Sequence, residues 1–230
     1  MILARFLLVA LIGYLLGSIP FGLIISKMSG KGDVRNWGSG KIGATNVLRA
    51  VGKKAAILTA VLDGAKGLLA VFFAGVIMHR YYLSAGDDKI LWALRSAQVV
   101  AAISAIAGHN WPILLGFKGG RGVSTFMGGL IAFSPVAALF SGEVIIISAG
   151  LTRYASLASI AGIIGASVIL IPLILLNGFP VEFLLYTVIG GGVVIFMHRD
   201  NIQRLLAGKE RKLGEKAKAT SGVSETGRAE

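Results

Sequence analysis

The chain has 230 residues, 55% of them hydrophobic and only 15% charged, with a mean hydropathy of +0.77; an ordinary soluble domain carries roughly 25% charge and is excluded. The net charge of +12 reads as positive-inside bias plus attraction to anionic lipid, and the aromatic-and-basic patches of an RNA binder are missing, so no nucleic acid is expected as partner. The absence of Cys excludes disulfides, thiolate metal sites and Cys nucleophiles.

The first apolar run, 2–26, resembles a signal peptide in having one early Arg. It extends to Ile25 without a small-x-small cleavage site, so it reads as a retained span. Further runs cover about 55–78, 90–108, 123–151, 155–176 and 182–197, each near or above the roughly 18 residues that indicate a membrane helix. Between them lie a long basic loop (27–54), a short loop (79–89), a Gly-rich loop (109–122), the break Arg153-Tyr154 and a turn over 177–180. The chain therefore reads as one all-α integral-membrane domain, 1–212, followed by a polar cytosolic tail, 213–230, expected to be disordered. No internal repeat is visible, which gives no support to an inverted-repeat transporter.

The run 123–151 is too long for one pass. As a single helix it would rise roughly 43 Å at 1.5 Å per residue, against a hydrocarbon core of about 30 Å. It also holds Ser134-Pro135 near its middle, and a Pro there favours a break. Two short helices follow, about 123–136 and 138–151. Seven transmembrane helices result, with the N-terminus outside and the C-terminus cytosolic. That arrangement leaves Arg5, Arg80, Lys89 and Arg95 outside and nearly all other basic residues in the cytosol, as the positive-inside rule prefers.

Three loops carry chemistry. The first, GSGKIGATNVLR (38–49), spaces Gly38, Gly40 and Gly43 as G-x-G-x-x-G, with Asp63 twenty residues on. That spacing is a dinucleotide fingerprint only inside a βαβ unit. Here it follows a membrane span, and Asp63 lies within the next one. A P-loop fails as well: position 35 is Arg35 and Ile42 stands where Ser or Thr is needed. What survives is a turn able to bring N–H groups to an anion. Ser39, Thr45 and Asn46 are neutral donors, and Arg49 is a fork suited to phosphate; a turn touching lipid headgroups is the plainer alternative.

The second loop, GHNWPILLGFKGGRGVST (108–125), sets Lys118 and Arg121 among Gly116, Gly119, Gly120 and Gly122, just before a span. Amides at a helix N-terminus form a ready anion site. Trp111 and Pro112 read as interface residues and His109 as a structural one. In the third loop, HRDNIQRLLAGKE (198–210), His198 and Asn201 share a helix face. Arg199 and Arg204 read as boundary anchors, and Glu210 either pairs with a base or is solvated. Asp63 and Lys66, three apart in one span, are expected to partner each other.

Taken in order, these three loops resemble the three motifs of the acyl-phosphate-dependent glycerol-3-phosphate acyltransferases of bacteria (PlsY type). The likeness runs from about Tyr14 to Lys212 and includes SIPFG (18–22), LDGAKG (62–67) and RYASLASI (153–160). It implies a seven-helix enzyme of the bacterial inner membrane with its site facing the cytosol. It implies acyl transfer from acyl phosphate to the 1-hydroxyl of sn-glycerol 3-phosphate, giving lysophosphatidic acid and phosphate in the first acylation of phospholipid synthesis. By motif position Ser39, Arg49, Arg121, His198 and Asn201 are the catalytic set. Gly38, Gly40, Thr45, Asn46, Lys118, Gly119, Gly120 and Gly122 shape or bind substrate. Lys41 stands where the family usually has Asn, either adding a cation at the pocket rim or pointing to lipid; Arg121 stands where it usually has Lys.

No cofactor, metal or obligatory protein partner is expected; the partners are the two substrates and membrane lipid. The H-x-x-x-x-D motif of the other acyltransferase class is absent: His109, for instance, is followed at that distance by Leu114. Acyl phosphate is already activated, so the expected mechanism is substrate-assisted, with a substrate phosphate taking the hydroxyl proton and His198 positioning phosphate. The rival class is a transporter of phosphorylated solutes, which would want its charges near mid-membrane.

Overall fold

The computed structural model describes residues 2–85 and 88–215, so most of the expected tail, 216–230, lies outside the described residues. Helix α1 (Ile2–Ser18) and helix α2 (Phe21–Met28) form one apolar run broken at Ile19-Pro20, followed by the surface helix α3 (Ala44–Ala50). Long helices α4 (Lys53–Ala85) and α5 (Asp88–Asn110) come next, then α6 (Val123–Phe133), α7 (Pro135–Thr152) and α8 (Ala155–Asn177). Two short helices, α9 (Val181–Leu185) and α10 (Gly191–Met197), are joined by a π turn over Tyr186–Gly190, and α11 (Arg199–Leu206) bends away by 61°. Among the described residues there is no β-strand. Among the described residues five helices are long and apolar enough to cross a membrane, six if the bent pair after Val181 counts as one.

The expected break in the fourth apolar run falls at Ser134, two to four residues before the expected boundary. Ser134 adopts extended backbone, and its Oγ accepts a hydrogen bond from the Ala137 amide at 3.2 Å. Pro135 occupies the first helical position, where its missing N–H costs nothing. The two pieces are consequently unequal. Helix α7, with 18 residues, rises about 27 Å, whereas α6, with 11, rises only about 16 Å. Pro172 interrupts nothing: α8 continues through it, as helices in apolar surroundings tolerate.

Close backbone contact holds the bundle together. A Cβ on Gly17 would collide with the Ala105 carbonyl of α5, and one on Gly128 with the Gly64 carbonyl of α4. Glycine lets these helices approach main chain to main chain, the means by which helices associate where lipid removes the hydrophobic drive. The aromatic core sits behind α6. Phe126 and Tyr186 stack at 5.2 Å, and the Tyr186 hydroxyl donates to the Phe126 carbonyl at 2.7 Å, so its buried polar tip is satisfied. Outward faces carry bare apolar side chains such as Leu7, Val61, Leu139, Ile146 and Leu175, the surface a lipid solvent requires.

Candidate active site

The three polar loops meet in one cavity of about 300 Å³. Ser39, Thr45, Asn46, Arg49, Arg121, Gly122, His198 and Asn201 line it, together with Lys41. The first residues of α3, α6 and α8 all face it. The amide of Phe126 is the first of α6 to bond back, to the Gly122 carbonyl at 2.8 Å; for α8 it is that of Ala158, to Tyr154 at 3.0 Å. The amides before them are open, an arrangement that attracts anions.

The first loop is shaped by Asn46. Its Nδ2 donates to the carbonyls of Val34, Trp37 and Lys41 at 3.0, 2.9 and 2.8 Å, and its Oδ1 accepts from the Ser39 amide at 3.0 Å. Every polar atom of that side chain is thus spent on the loop itself, so Asn46 builds the wall and offers nothing to a ligand. Gly38 and Gly40, with φ of 57° and 68°, make the turns on either side of Ser39 and do not line the cavity themselves.

The second loop departs from expectation. Lys118 is exposed and outside the cavity. The amides of Gly119 and Gly120 donate to the Asn110 and His109 carbonyls at 3.2 and 3.0 Å, so they are not free for an anion. These two glycines exist for packing: a Cβ on either would strike the His109 residue. Gly122, the residue before α6 with φ of 82°, does line the cavity and lets Arg121 turn into it. Burial first, then the Arg204 and Arg49 guanidinia, push Arg121 down to about 10. Burial also lowers Arg49 and Lys41, the latter then opposed by Arg121. The Nε atoms of Arg49 and Arg121 are buried without a partner, and a buried unpaired donor is costly until something accepts from it.

In the third loop Glu210 accepts from Asn201 Nδ2 and Arg204 Nε, both at 2.8 Å. An ionised carboxylate only accepts, so this contact fixes the amide's orientation and leaves Asn201 Oδ1 buried and unpartnered beside the cavity. His198 Nδ1 lies 2.8 Å from the Val194 carbonyl; a carbonyl only accepts, so Nδ1 carries hydrogen and Nε2 is the uncommitted ring nitrogen. Glu210 is therefore not a solvated charge: it pairs with the basic Arg204, as one of its expected readings had it, and also aims Asn201.

Two features went unrecognised in the sequence. Ser156, at the start of α8, is buried with its Oγ unpartnered and lines the cavity with Ser159. The hints were a pair of serines just after a two-residue break in apolar sequence and their place within RYASLASI, 153–160, a stretch noted above only for its family likeness. Asp63 and His109 also line the cavity; the expected pair Asp63–Lys66 forms at 2.7 Å and belongs to a larger cluster. Lys66 Nζ lies 3.0 Å from His109 Nδ1 and donates to the Gly17 and Ile19 carbonyls at 3.1 and 3.0 Å. The break at Pro20 turns the Phe21 amide onto the Ile19 carbonyl at 3.1 Å and away from that of Gly17, which Lys66 meets instead, so one ammonium ties α1, α4 and α5 together. No cluster of potential metal ligands occurs among the described residues.

An all-helical membrane protein whose loops gather unneutralised cations and bare acceptors around an open cavity belongs to the integral-membrane enzymes that handle small phosphorylated substrates. The sequence profile of the glycerol-3-phosphate acyltransferase family matches residues 7–208, and the chain belongs to that family. It is 56% identical over 218 residues to glycerol-3-phosphate acyltransferase 3 of Dehalococcoides mccartyi (strain CBDB1), covering 95% of this chain and 100% of the relative. Among solved structures it is similar to PlsY (YgiH), an integral membrane glycerol 3-phosphate acyltransferase. The glycerol 3-phosphate form matches with a TM-score of 0.76 and 39% identity, covering 91% of this chain and 96% of that one. The lysophosphatidic acid form matches with a TM-score of 0.74 and 38% identity, over 91% and 95%.

Proposed function

We propose that this chain transfers an acyl group from acyl phosphate to the 1-hydroxyl of sn-glycerol 3-phosphate, releasing lysophosphatidic acid and inorganic phosphate. The observation that carries this reading is the imbalance inside the cavity. Lys66 answers Asp63 and Arg204 answers Glu210, which leaves Lys41, Arg49 and Arg121 without a direct ion pair among the described residues and only Asp200, Glu210 and Glu215 acting on them from farther off. Two phosphates of about −1.5 to −2 each would supply the missing partner. The acceptor atoms Asn201 Oδ1 and His198 Nε2 suit the hydroxyls of a glycerol backbone. The solved relatives are described as glycerol 3-phosphate and lysophosphatidic acid forms, the acceptor and product of this reaction.

The hydroxyl oxygen attacks the acyl carbonyl carbon, the bond from that carbon to the phosphate oxygen breaks, and the hydroxyl proton passes to a substrate phosphate. An acyl phosphate is a mixed anhydride, so its leaving group needs little help. The protein contributes placement of the hydroxyl and neutralisation of two phosphates that repel each other. Domain 1–212 performs this at the cytosolic face of a bacterial inner membrane. Helix α6 serves as a short fourth pass and the bent segment after Val181 as the seventh, with the N-terminus outside.

The decisive measurement is phosphate release from acyl phosphate by purified protein. Release that depends on glycerol 3-phosphate supports the reading; solute translocation without phosphate release favours a transporter. For the proton, imidazole rescue of His198→Ala with the wild-type pH profile restored would move it from substrate to ring.

A further inference from the structure

We propose that Lys41 holds the second phosphate, the one that leaves with the donor, and so sets this chain's affinity for phosphate-activated acyl groups. The inference rests on the acyl-transfer reading above. Lys41 lines the cavity, and its side chain makes no hydrogen bond or ion pair among the described residues. Its backbone is held on both sides: the carbonyl accepts from Asn46 Nδ2 at 2.8 Å, and the Ile42 side chain after it is 1% exposed, packed with Val34 and Val47. The side chain is therefore half-buried by the fold around it, not free to wander to the lipid surface. The charged groups that act on it are Arg121 and Arg199, which oppose its charge, and Asp200, which favours it. Asp200 lies 3.9 Å from Arg199 and is largely exposed, so it does not neutralise the ammonium.

The division of labour follows from shape. Arg49 and Arg121 offer planar forks with unpartnered Nε atoms, suited to gripping a phosphate that must stay in register through the reaction. An ammonium is a compact point charge on a flexible stem, with three donors and no fixed fork. That suits a phosphate whose charge grows as its bond to carbon breaks and which must then depart. A cation so placed acts on the charge that develops.

The test compares Lys41→Gln with Lys41→Arg in purified protein. The Gln variant is expected to raise KM for acyl phosphate about tenfold, the scale of one charge-assisted hydrogen bond, and to weaken product inhibition by inorganic phosphate similarly. KM for glycerol 3-phosphate should stay within about twofold, and Arg, which keeps the charge but replaces the point charge by a planar fork, should restore only part of the loss. A rise in the glycerol 3-phosphate KM alone overturns the assignment, as does no change in either KM. Equilibrium binding of inorganic phosphate to protein saturated with glycerol 3-phosphate needs no turnover. If wild-type protein binds it and Lys41→Gln does not, the Lys41 site stands even where acyl transfer fails; equal binding in both removes the site while leaving the acyl-transfer reading intact.

Discussion

Substituting Glu210 by Gln tests the claim that a carboxylate aims Asn201. Glu210 holds Asn201 Nδ2 and Arg204 Nε at 2.8 Å each. A Gln in its place keeps the size and one accepting oxygen but gains an NH2 group. If that oxygen stays with Arg204, the Asn201 amide must turn over to accept from the new NH2, and its own NH2 then faces the cavity where an acceptor stood. A hydrogen bond to a charged group is worth about 1.5–3 kcal/mol, and each 1.36 kcal/mol is tenfold in rate, so kcat should fall roughly 10- to 150-fold. The same substitution removes one negative charge from a cavity rich in cations, so KM for glycerol 3-phosphate should hold or drop. The assay is steady-state phosphate release across both substrates for Glu210→Gln, Asn201→Ala and the double variant, with thermal unfolding as the check on folding. Because both residues act as one unit, the double variant should cost little more than Asn201→Ala alone. Additive losses, or a raised KM with kcat unchanged, would refute the positioning role.

Other outcomes follow from the same geometry. Lys118→Ala should leave kcat/KM within about twofold, since an exposed charge outside the cavity has little leverage, whereas Arg121→Ala should lower it by roughly 100-fold in the same phosphate-release assay. Because burial lowers the Lys41 pKa, its charge is lost as pH rises through a value below the ordinary lysine figure of about 10.4; kcat/KM should show an alkaline limb that in Lys41→Gln changes to the one set by Arg121, which titrates at about 10. Lys66→Met should destabilise the fold by about 3–5 kcal/mol because it strands the Asp63 carboxylate. The double variant Asp63→Asn/Lys66→Met should recover part of that loss in thermal unfolding.

Long apolar runs and their punctuation made the helices legible, because a span needs both length and apolarity and little else has both. Ser134-Pro135 announced a break for the same local reason that it forms one: a hydroxyl cap followed by a residue with no N–H. The kink at Pro20 passed unnoticed because the Gly17 carbonyl it frees is satisfied from another helix, by Lys66, and no local pattern reveals a distant donor. Within the site, spacing and charge brought Arg49, Arg121, His198 and Asn201 into view. They could not tell a glycine that frees an amide from one that yields room, which is why Gly119 and Gly120 read as anion ligands and turned out to pack on His109. Lys118 and Arg121 look alike on paper; the backbone turn at Gly122 separates them. Ser156 was hidden by its surroundings, since a serine in an apolar helix usually bonds back to its own turn, as Ser159 does to Ala155.

The tether from Lys66 to the broken end of α1 has a consequence for biogenesis. Helix α1 precedes α4 in the chain, and inside lipid without α4 it would carry the Gly17 carbonyl with no donor to meet it. That carbonyl gains its side-chain donor only when Lys66 packs against α1, so the seating of α1 in the bundle waits on a helix that follows it in the chain.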